Sequence, residues 1–296
     1  MIRSLDKLSA PWLRRLATSV AALVLMAGAS VAQDAAPQAV AKRWGMHPPA
    51  STYGHLFDSL FLIITALIGV SFVIVLIMLL VPVIRDRDRK FGDGSGKASH
   101  RASFDHGASL HDKRFTAIVS IIVFLVLDAS VLYITMKDLR TGFWNIPAPD
   151  HPKVVKVQVL GQQWAWNFRT PGVDGEFGTA DDIITINELT LPVDRPAQFN
   201  LTSKDVIHSL FVPDMRMKRD ANPGAINEAW FQPKTTGAFD ILCTELCGFA
   251  HYQMYAKIHV LEENDWDAWQ VEASTMAKAA YDESDLEAQW AWEWQE

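Results

Sequence analysis

Near its C-terminal end the chain reads Cys243-Thr-Glu245-Leu-Cys247-Gly-Phe-Ala-His251-Tyr-Gln-Met254, two thiols, an imidazole and a thioether within twelve residues. Soft sulfur combined with imidazole favours copper, and Cys, His and Met are the donor types of copper electron-transfer centres. These are the only two cysteines in 296 residues, and they stand four apart. A disulfide between them would close a very short loop, add little through loop entropy, and leave His251 and Met254 without a purpose. Zinc accepts Cys and His, but the spacing is not that of a zinc finger and Met is a poor zinc ligand. Copper is the reading that uses the whole set.

A metal site also needs a ligand from elsewhere in the fold, and His208 in Asp205-Val-Ile-His208-Ser-Leu-Phe-Val-Pro213 is the candidate, next to an apolar run with strand character. At this point the chain resembles subunit II of the haem–copper cytochrome c oxidases. The resemblance rests on Cys-x-Glu-x-Cys-Gly-x-x-His-x-x-Met, on His208-Ser-x-x-Val-Pro213, and on Lys218-Arg-Asp220-Ala-Asn-Pro223-Gly224, and it runs from the first apolar segment to about Leu261.

The resemblance implies a dinuclear copper centre of the CuA type. Cys243 and Cys247 bridge both coppers, His208 and His251 each bind one, Met254 is a weak ligand to one, and the backbone carbonyl of Glu245 binds the other. It further implies a magnesium ion shared with subunit I, reached by the Glu245 side chain. In Gly161-Gln-Gln-Trp164-Ala-Trp166, Trp164 takes the place of the family's electron entry point from cytochrome c. The Tyr usual between the two tryptophans is Ala165 here, which removes an aromatic relay through the middle residue. A packing role is the alternative for Trp164, since two aromatics at i and i+2 on a strand share one face. Asp220 resembles an acidic residue of the donor-docking surface, although Lys218 and Arg219 stand beside it to pair with it.

Two bridging thiolates share electron density between both metals, so one electron is taken up with little change in bond lengths. No ligand position stays open to a substrate. Such a loop is an electron port, and oxygen reduction belongs to another subunit.

Alternation at period two in Val154–Leu160, Ala197–Thr202 and Tyr255–Val260, with Gly, Pro and Asp turns between, predicts an all-β domain over 154–262. Several short strands in that span suggest a Greek-key sandwich, which the resemblance narrows to a cupredoxin-like barrel. Residues 137–153 read as a connector, and Asp174–Asp182 as a Gly- and Asp-rich hairpin turn, with calcium as the alternative. An acidic, Trp-rich tail follows at 263–296, helical over Trp266–Ala280; the spacing of Trp290, Trp292 and Trp294 is not helical and suits a partner or the membrane surface.

The start of the chain predicts export. Arg3, Lys7, Arg14 and Arg15 precede the uncharged stretch Leu16–Ala32, which ends in small residues, as in a signal peptide cleaved after Ala32. An exterior segment at 33–58 leads to two apolar stretches, 59–84 and 115–136, each long enough to cross a bilayer. The loop 85–114 between them carries eight Lys and Arg, which keeps it in the cytoplasm and puts the β domain in the periplasm or its equivalent. The expected architecture is thus a two-helix transmembrane hairpin carrying an all-β cupredoxin-like barrel, in a bacterial inner membrane. Asp128 within the second stretch is costly in lipid unless it serves a partner. The Glu that the family often carries near the start of this helix, at a proton pathway, is missing; Asp112 is the nearby carboxylate.

Charge divides along the chain. Residues 1–137 carry 15 Lys and Arg against 9 Asp and Glu, whereas residues 138–296 carry 12 against 25. The acidic half steers basic partners, which points to cytochrome c as donor, and its sign excludes a nucleic-acid role. The implied function is subunit II of a cytochrome c oxidase, working with subunit I and other oxidase subunits. A membrane-tethered copper chaperone or cupredoxin-type carrier is the alternative. A quinol oxidase subunit II would share the architecture but lack the copper ligands.

Overall fold

The computed structural model describes residues 47–86, 110–148, 151, 153–282 and 284. The expected signal peptide, residues 33–46 of the exterior segment, residues 87–109 of the basic loop, and Trp290, Trp292 and Trp294 lie outside the described residues. The chain forms two compact units, with Ser59–Lys137 in the first and Asp138–Glu296, together with the residues just before Ser59, in the second.

α1 (Gly54–Asp86) is rich in Leu, Ile, Val and Phe over most of its length. Its segment Gly54–Val81 is long and apolar enough to cross a membrane, the one such helix among the described residues. The second apolar stretch is also helical, but in pieces: α2 (Leu110–Val123), a π turn at Phe124–Asp128, α3 (Ala129–Asp138) and a second π turn at Leu139–Phe143. A π turn widens the helix by one residue per turn and breaks the regular ladder. Asp128 closes the first of these turns and is exposed.

The second unit is an all-β, cupredoxin-like domain of two five-stranded sheets. Its strands are β1 (Val155–Gln162), β2 (Ala165–Thr170), β3 (Ile183–Ile186), β4 (Glu188–Pro192), β5 (Ala197–Ser203), β6 (His208–Val212), β7 (Met217–Ala221), β8 (Asn227–Phe231), β9 (Gly237–Cys243) and β10 (Tyr255–Leu261). One sheet runs β3-β2-β1-β5-β8 and the other β4-β10-β9-β6-β7. The three strands expected from period-two alternation are β1, β5 and β10. Val157, Val159, Phe199 and Leu201 from one sheet share a single buried core with Leu210, Ile241, Ile258 and Val260 from the other. Alternate side chains on each strand point inward, so the β-branched and aromatic residues collect between the layers.

The segment preceding α1 is stitched to this domain. Ala50 N–H donates to the Asp214 carbonyl at 2.7 Å, Lys234 N–H donates to the Ala50 carbonyl at 2.7 Å, and the buried Tyr53 ring meets Trp230 edge-on at 5.2 Å. Arg216 completes the attachment, donating to both Asp58 carboxylate oxygens (2.7 and 3.0 Å) and to the His47 carbonyl (2.7 Å). No periodicity in residues 47–58 announces these contacts, because they are made one residue at a time.

The C-terminal helix α4 (Glu263–Ala280) begins three residues earlier than composition suggests, with Glu263 and Asp265 in its first turn, where carboxylates favour the helix dipole. Trp266 is buried beneath the Arg195 guanidinium, 4.7 Å from its ring centroid, and Trp269 packs against the core. The Gly- and Asp-rich insertion is the turn joining the antiparallel pair β2 and β3. Asp182 pairs with Arg169, and Asp181 accepts from Val173 N–H (3.0 Å) and the Thr179 hydroxyl (2.8 Å). Asp181 and Asp182 help to close the turn, and its carboxylates form no group of three or more metal-capable residues among the described residues.

Candidate metal centre

Three strand ends build the site. His208 opens β6, Cys243 closes β9, and Met254 immediately precedes β10. The three tips are laced by backbone bonds, Cys243 N–H to the Met254 carbonyl (3.1 Å) and Thr244 N–H to the Ser209 carbonyl (3.0 Å). Between β9 and β10 the chain loops out and returns through a short 3-10 turn at His251–Gln253, which carries His251. Gly248 in this loop has φ +119°, a conformation that L side chains rarely adopt.

The side chains converge. Cys243 and Cys247 are free and buried, with sulfurs 3.8 Å apart, a gap that bonds of ~2.3 Å to a shared borderline-soft ion can span. Cys247 Sγ lies 3.5 Å from His251 Nδ1 and 3.8 Å from Met254 Sδ, and Cys243 Sγ lies 3.3 Å from the Glu245 carbonyl. The ligand atoms of His208, Cys243 and Cys247 all fall within 4.8 Å of one another, the one metal-capable group among the described residues. The two cysteines are not joined by a disulfide in this structure.

His208 shows that the pocket suits an ion. It is fully buried, its Nε2 is held by the Asp205 carboxylate at 2.8 Å, and its Nδ1 has no hydrogen-bond partner. A buried nitrogen without a partner is costly. Here the ring lies within 4.8 Å of both sulfurs, where an ion would supply the missing partner. Gly161 makes room for the ring, since a Cβ there would lie 2.9 Å from His208 Cδ2. Trp166 closes the far side, edge-on to the imidazole at 5.9 Å.

The electrostatics separate the two thiols. Burial pushes both up, but for Cys243 the His208 imidazole and the nearby Ser209 and Glu245 backbone outweigh it and hold the thiol down at about 6. Cys247 is pushed up to about 12, by burial first and then by the charge on Cys243. Burial raises Asp205 too, yet His208 and the N–H groups of Gln163 and Val206 outweigh it and keep its carboxyl below the usual range.

Residues 155–261 match the family model of the cytochrome c oxidase subunit II periplasmic domain. Residues 155–261 are a subunit II domain. Similar proteins include an alternative cytochrome c oxidase subunit 2 of Bradyrhizobium diazoefficiens, 40% identical over 157 residues, covering 46% of this chain and 55% of that protein. A cytochrome c oxidase subunit 2 of Thermostichus vulcanus is 36% identical, covering 51% of this chain and 44% of that protein. That of Cereibacter sphaeroides is 27% identical over 251 residues, covering 75% and 76%. The chain thus spans about half the length of the first curated relatives it matches. Among solved structures, the periplasmic domain of subunit II from Bradyrhizobium japonicum is 29% identical, covering 44% of this chain and 97% of that one, with a TM-score of 0.38.

Within the subunit II domain, the remaining expected site residues are placed as follows. Trp164 is not on a strand. It lies in the turn between β1 and β2, partly exposed, while Trp166 on β2 is fully buried, so the two do not share a face. The turn overrides the i, i+2 rule because β1 ends at Gln162. Trp164 Nε1 donates to the Cys247 carbonyl at 3.3 Å, which ties it to the ligand loop. Asp220, on β7, is half-exposed, and its Oδ1 accepts from Ser209 Oγ (2.6 Å) and Lys218 Nζ (3.1 Å). Ser209 is the main cause that holds the Asp220 carboxyl low. The Glu245 side chain is exposed and belongs to no group of three or more metal-capable residues among the described residues.

Sequence reasoning missed Asp205, Gln163 and Gly161, although each stands within three residues of a residue it singled out. Their signal lay in that adjacency. Leu246, Phe249 and Tyr252, all exposed on the ligand loop, were also not anticipated.

Proposed function

We propose that the chain is the electron-input subunit of a membrane-bound haem–copper oxidase. It accepts electrons from a cytochrome c at a dinuclear CuA centre and passes them to the haem of subunit I, where dioxygen reduction is coupled to proton translocation. The convergence of His208, Cys243, Cys247, His251, Met254 and the Glu245 carbonyl on one spot, with His208 Nδ1 left free, is the observation that supports it.

These residues would hold two copper ions. The bound pair supplies a one-electron store shared over two metals and two sulfurs. The protein's own part is to fix the donor atoms before the metal arrives. Asp205 holds His208 Nε2 and so fixes the ring, the laced strand ends hold Cys243 against Met254, and burial of both cysteines excludes water. Trp164 offers a partly exposed indole beside the Cys247 carbonyl, which suits it to meet a donor haem. Asp220 and the acidic balance of residues 138–296 suit a basic donor. The exposed Glu245 carboxylate is available to a magnesium ion completed by subunit I.

The proposed topology follows from the sequence. A cleaved signal peptide and the basic loop 85–114 place both ends of an α1 to α3 hairpin outside, with the copper domain in the periplasm. A tethered copper chaperone would not need both cysteines, both histidines and two membrane segments, and a quinol oxidase subunit would lack the ligands.

Rapid mixing of reduced cytochrome c with the purified membrane complex tests the reading. Electron uptake by a copper chromophore ahead of haem reduction is expected. Haem reduction by quinol, with no copper phase, would overturn it.

A further inference from the structure

The carbonyl of Cys247 accepts two hydrogen bonds, and the two are unequal. Gln163 Nε2 donates at 2.7 Å and Trp164 Nε1 at 3.3 Å. The residue next to the presumed entry tryptophan therefore holds the ligand loop more tightly than the tryptophan does. Gln163 also reaches the other side of the site. Its backbone N–H donates to Asp205 Oδ2 at 2.7 Å, and Asp205 Oδ1 in turn holds His208 Nε2 at 2.8 Å. One residue thus braces Cys247 on the β9–β10 loop through its side chain and His208 on β6 through its backbone.

The loop is shaped to receive this amide. A Cβ on Gly248 would lie 2.8 Å from Gln163 Nε2 and 3.2 Å from Trp164 Cζ2, so the Cys247–Gly248 peptide can meet both side chains only because Gly248 has none. Cys247 is 2% exposed, which limits the access of water to its carbonyl. Without the Gln163 donor, that carbonyl keeps only the longer bond from the indole, and a buried acceptor so weakened has reason to turn away.

We infer that Gln163 is a positioning residue for electron entry: its side-chain amide fixes the Cys247–Gly248 peptide against Trp164 and so sets the contact between the entry indole and the ligand loop. The inference rests on the copper reading above and deepens it by naming what holds donor contact and ligand together. Gln163 needs no contact with metal or donor for this role.

Two variants of the full chain test it, Gln163→Glu, which keeps the shape but loses the donor at neutral pH, and Gln163→Ala. In copper-free protein, amide hydrogen exchange across residues 244–250 should quicken about tenfold in both, the loss expected when one good hydrogen bond is removed. In the copper-loaded complex, reduction by cytochrome c should slow about tenfold, with native copper content and native reduction by a small diffusible reductant. Native exchange with a native cytochrome rate would overturn the inference. Equal slowing with both reductants would also overturn it, since the effect would then lie in the centre and not in entry. If the unmodified chain showed no mixed-valence copper, the copper reading would fall, while the exchange result would still decide whether Gln163 positions the loop.

Discussion

The Asp205 carboxylate holds His208 Nε2 at 2.8 Å, while Nδ1 of the same ring is a buried nitrogen without a hydrogen-bond partner. A metal-ligating histidine is commonly fixed in this way by a carboxylate on its other nitrogen, and loss of such a partner typically weakens metal binding by about 10–100-fold. Asp205→Ala is therefore expected to lower copper affinity within that range while the barrel stays folded. Competition against a copper chelator measures it, and unchanged affinity would remove Asp205 from the account.

Trp164 in the β1–β2 turn and Trp166 on β2 should separate cleanly. Trp166 is fully buried against His208, so Trp166→Ala should cost about 3–5 kcal/mol of stability and reduce copper content with it. Trp164 is 37% exposed and touches the loop through one long hydrogen bond. Trp164→Gln should keep copper and fold while slowing the first transfer from cytochrome c. Denaturation curves beside stopped-flow reduction tell the two apart; an unslowed first transfer in a fully loaded Trp164→Gln protein would leave that indole without its role.

In the metal-free protein the thiols should ionise in two well-separated steps. Cys243 is held at about 6 and Cys247 is pushed up to about 12, so from pH 7 to 9 the folded protein carries one thiolate, on Cys243. Lowering the pH through 6 should remove it. In Cys243→Ser the low step should vanish, and the Cys247 step should move down, because the neighbouring negative charge that raises it is gone. Thiolate ultraviolet absorbance against pH follows both steps. A single shared step in the unmodified protein would contradict the inequality of the two sites.

Donor oxidation should slow as salt rises, because the screening length contracts from about 30 Å at 0.01 M to about 10 Å at 0.1 M. Asp220→Asn should flatten that dependence only modestly, since Lys218 already sits 3.1 Å from the carboxylate and Ser209 holds it. Second-order rates across a salt series give the slopes. A rate indifferent to salt would discard electrostatic docking and leave the copper site untouched.

The candidate ligands were legible in the sequence because their residue types are rare and their spacing is short. Cys243, Cys247, His251 and Met254 run from the end of β9 to the start of β10, and only His208 had to be brought from another strand. The alternating strands were legible for a different reason: β1, β5 and β10 each present one face to a common core, and that burial writes itself as period two. What stayed hidden depends on contacts between distant residues. Arg216 binding Asp58 across 158 positions leaves no local pattern, and neither does the Gln163 amide meeting the Cys247 carbonyl across 84. Trp164 was misplaced onto a strand because the β1–β2 turn carries neither Gly nor Pro at Gln163-Trp164, so nothing local marks the reversal.

Metal analysis joined to electron paramagnetic resonance on the purified, oxidised protein addresses the central claim most directly. The account predicts two coppers per chain and a mixed-valence signal in which one unpaired electron is shared by two equivalent copper nuclei, with the signal lost in Cys243→Ser and in Cys247→Ser. One copper per chain with a mononuclear signal, or an unchanged signal in either cysteine variant, would contradict it.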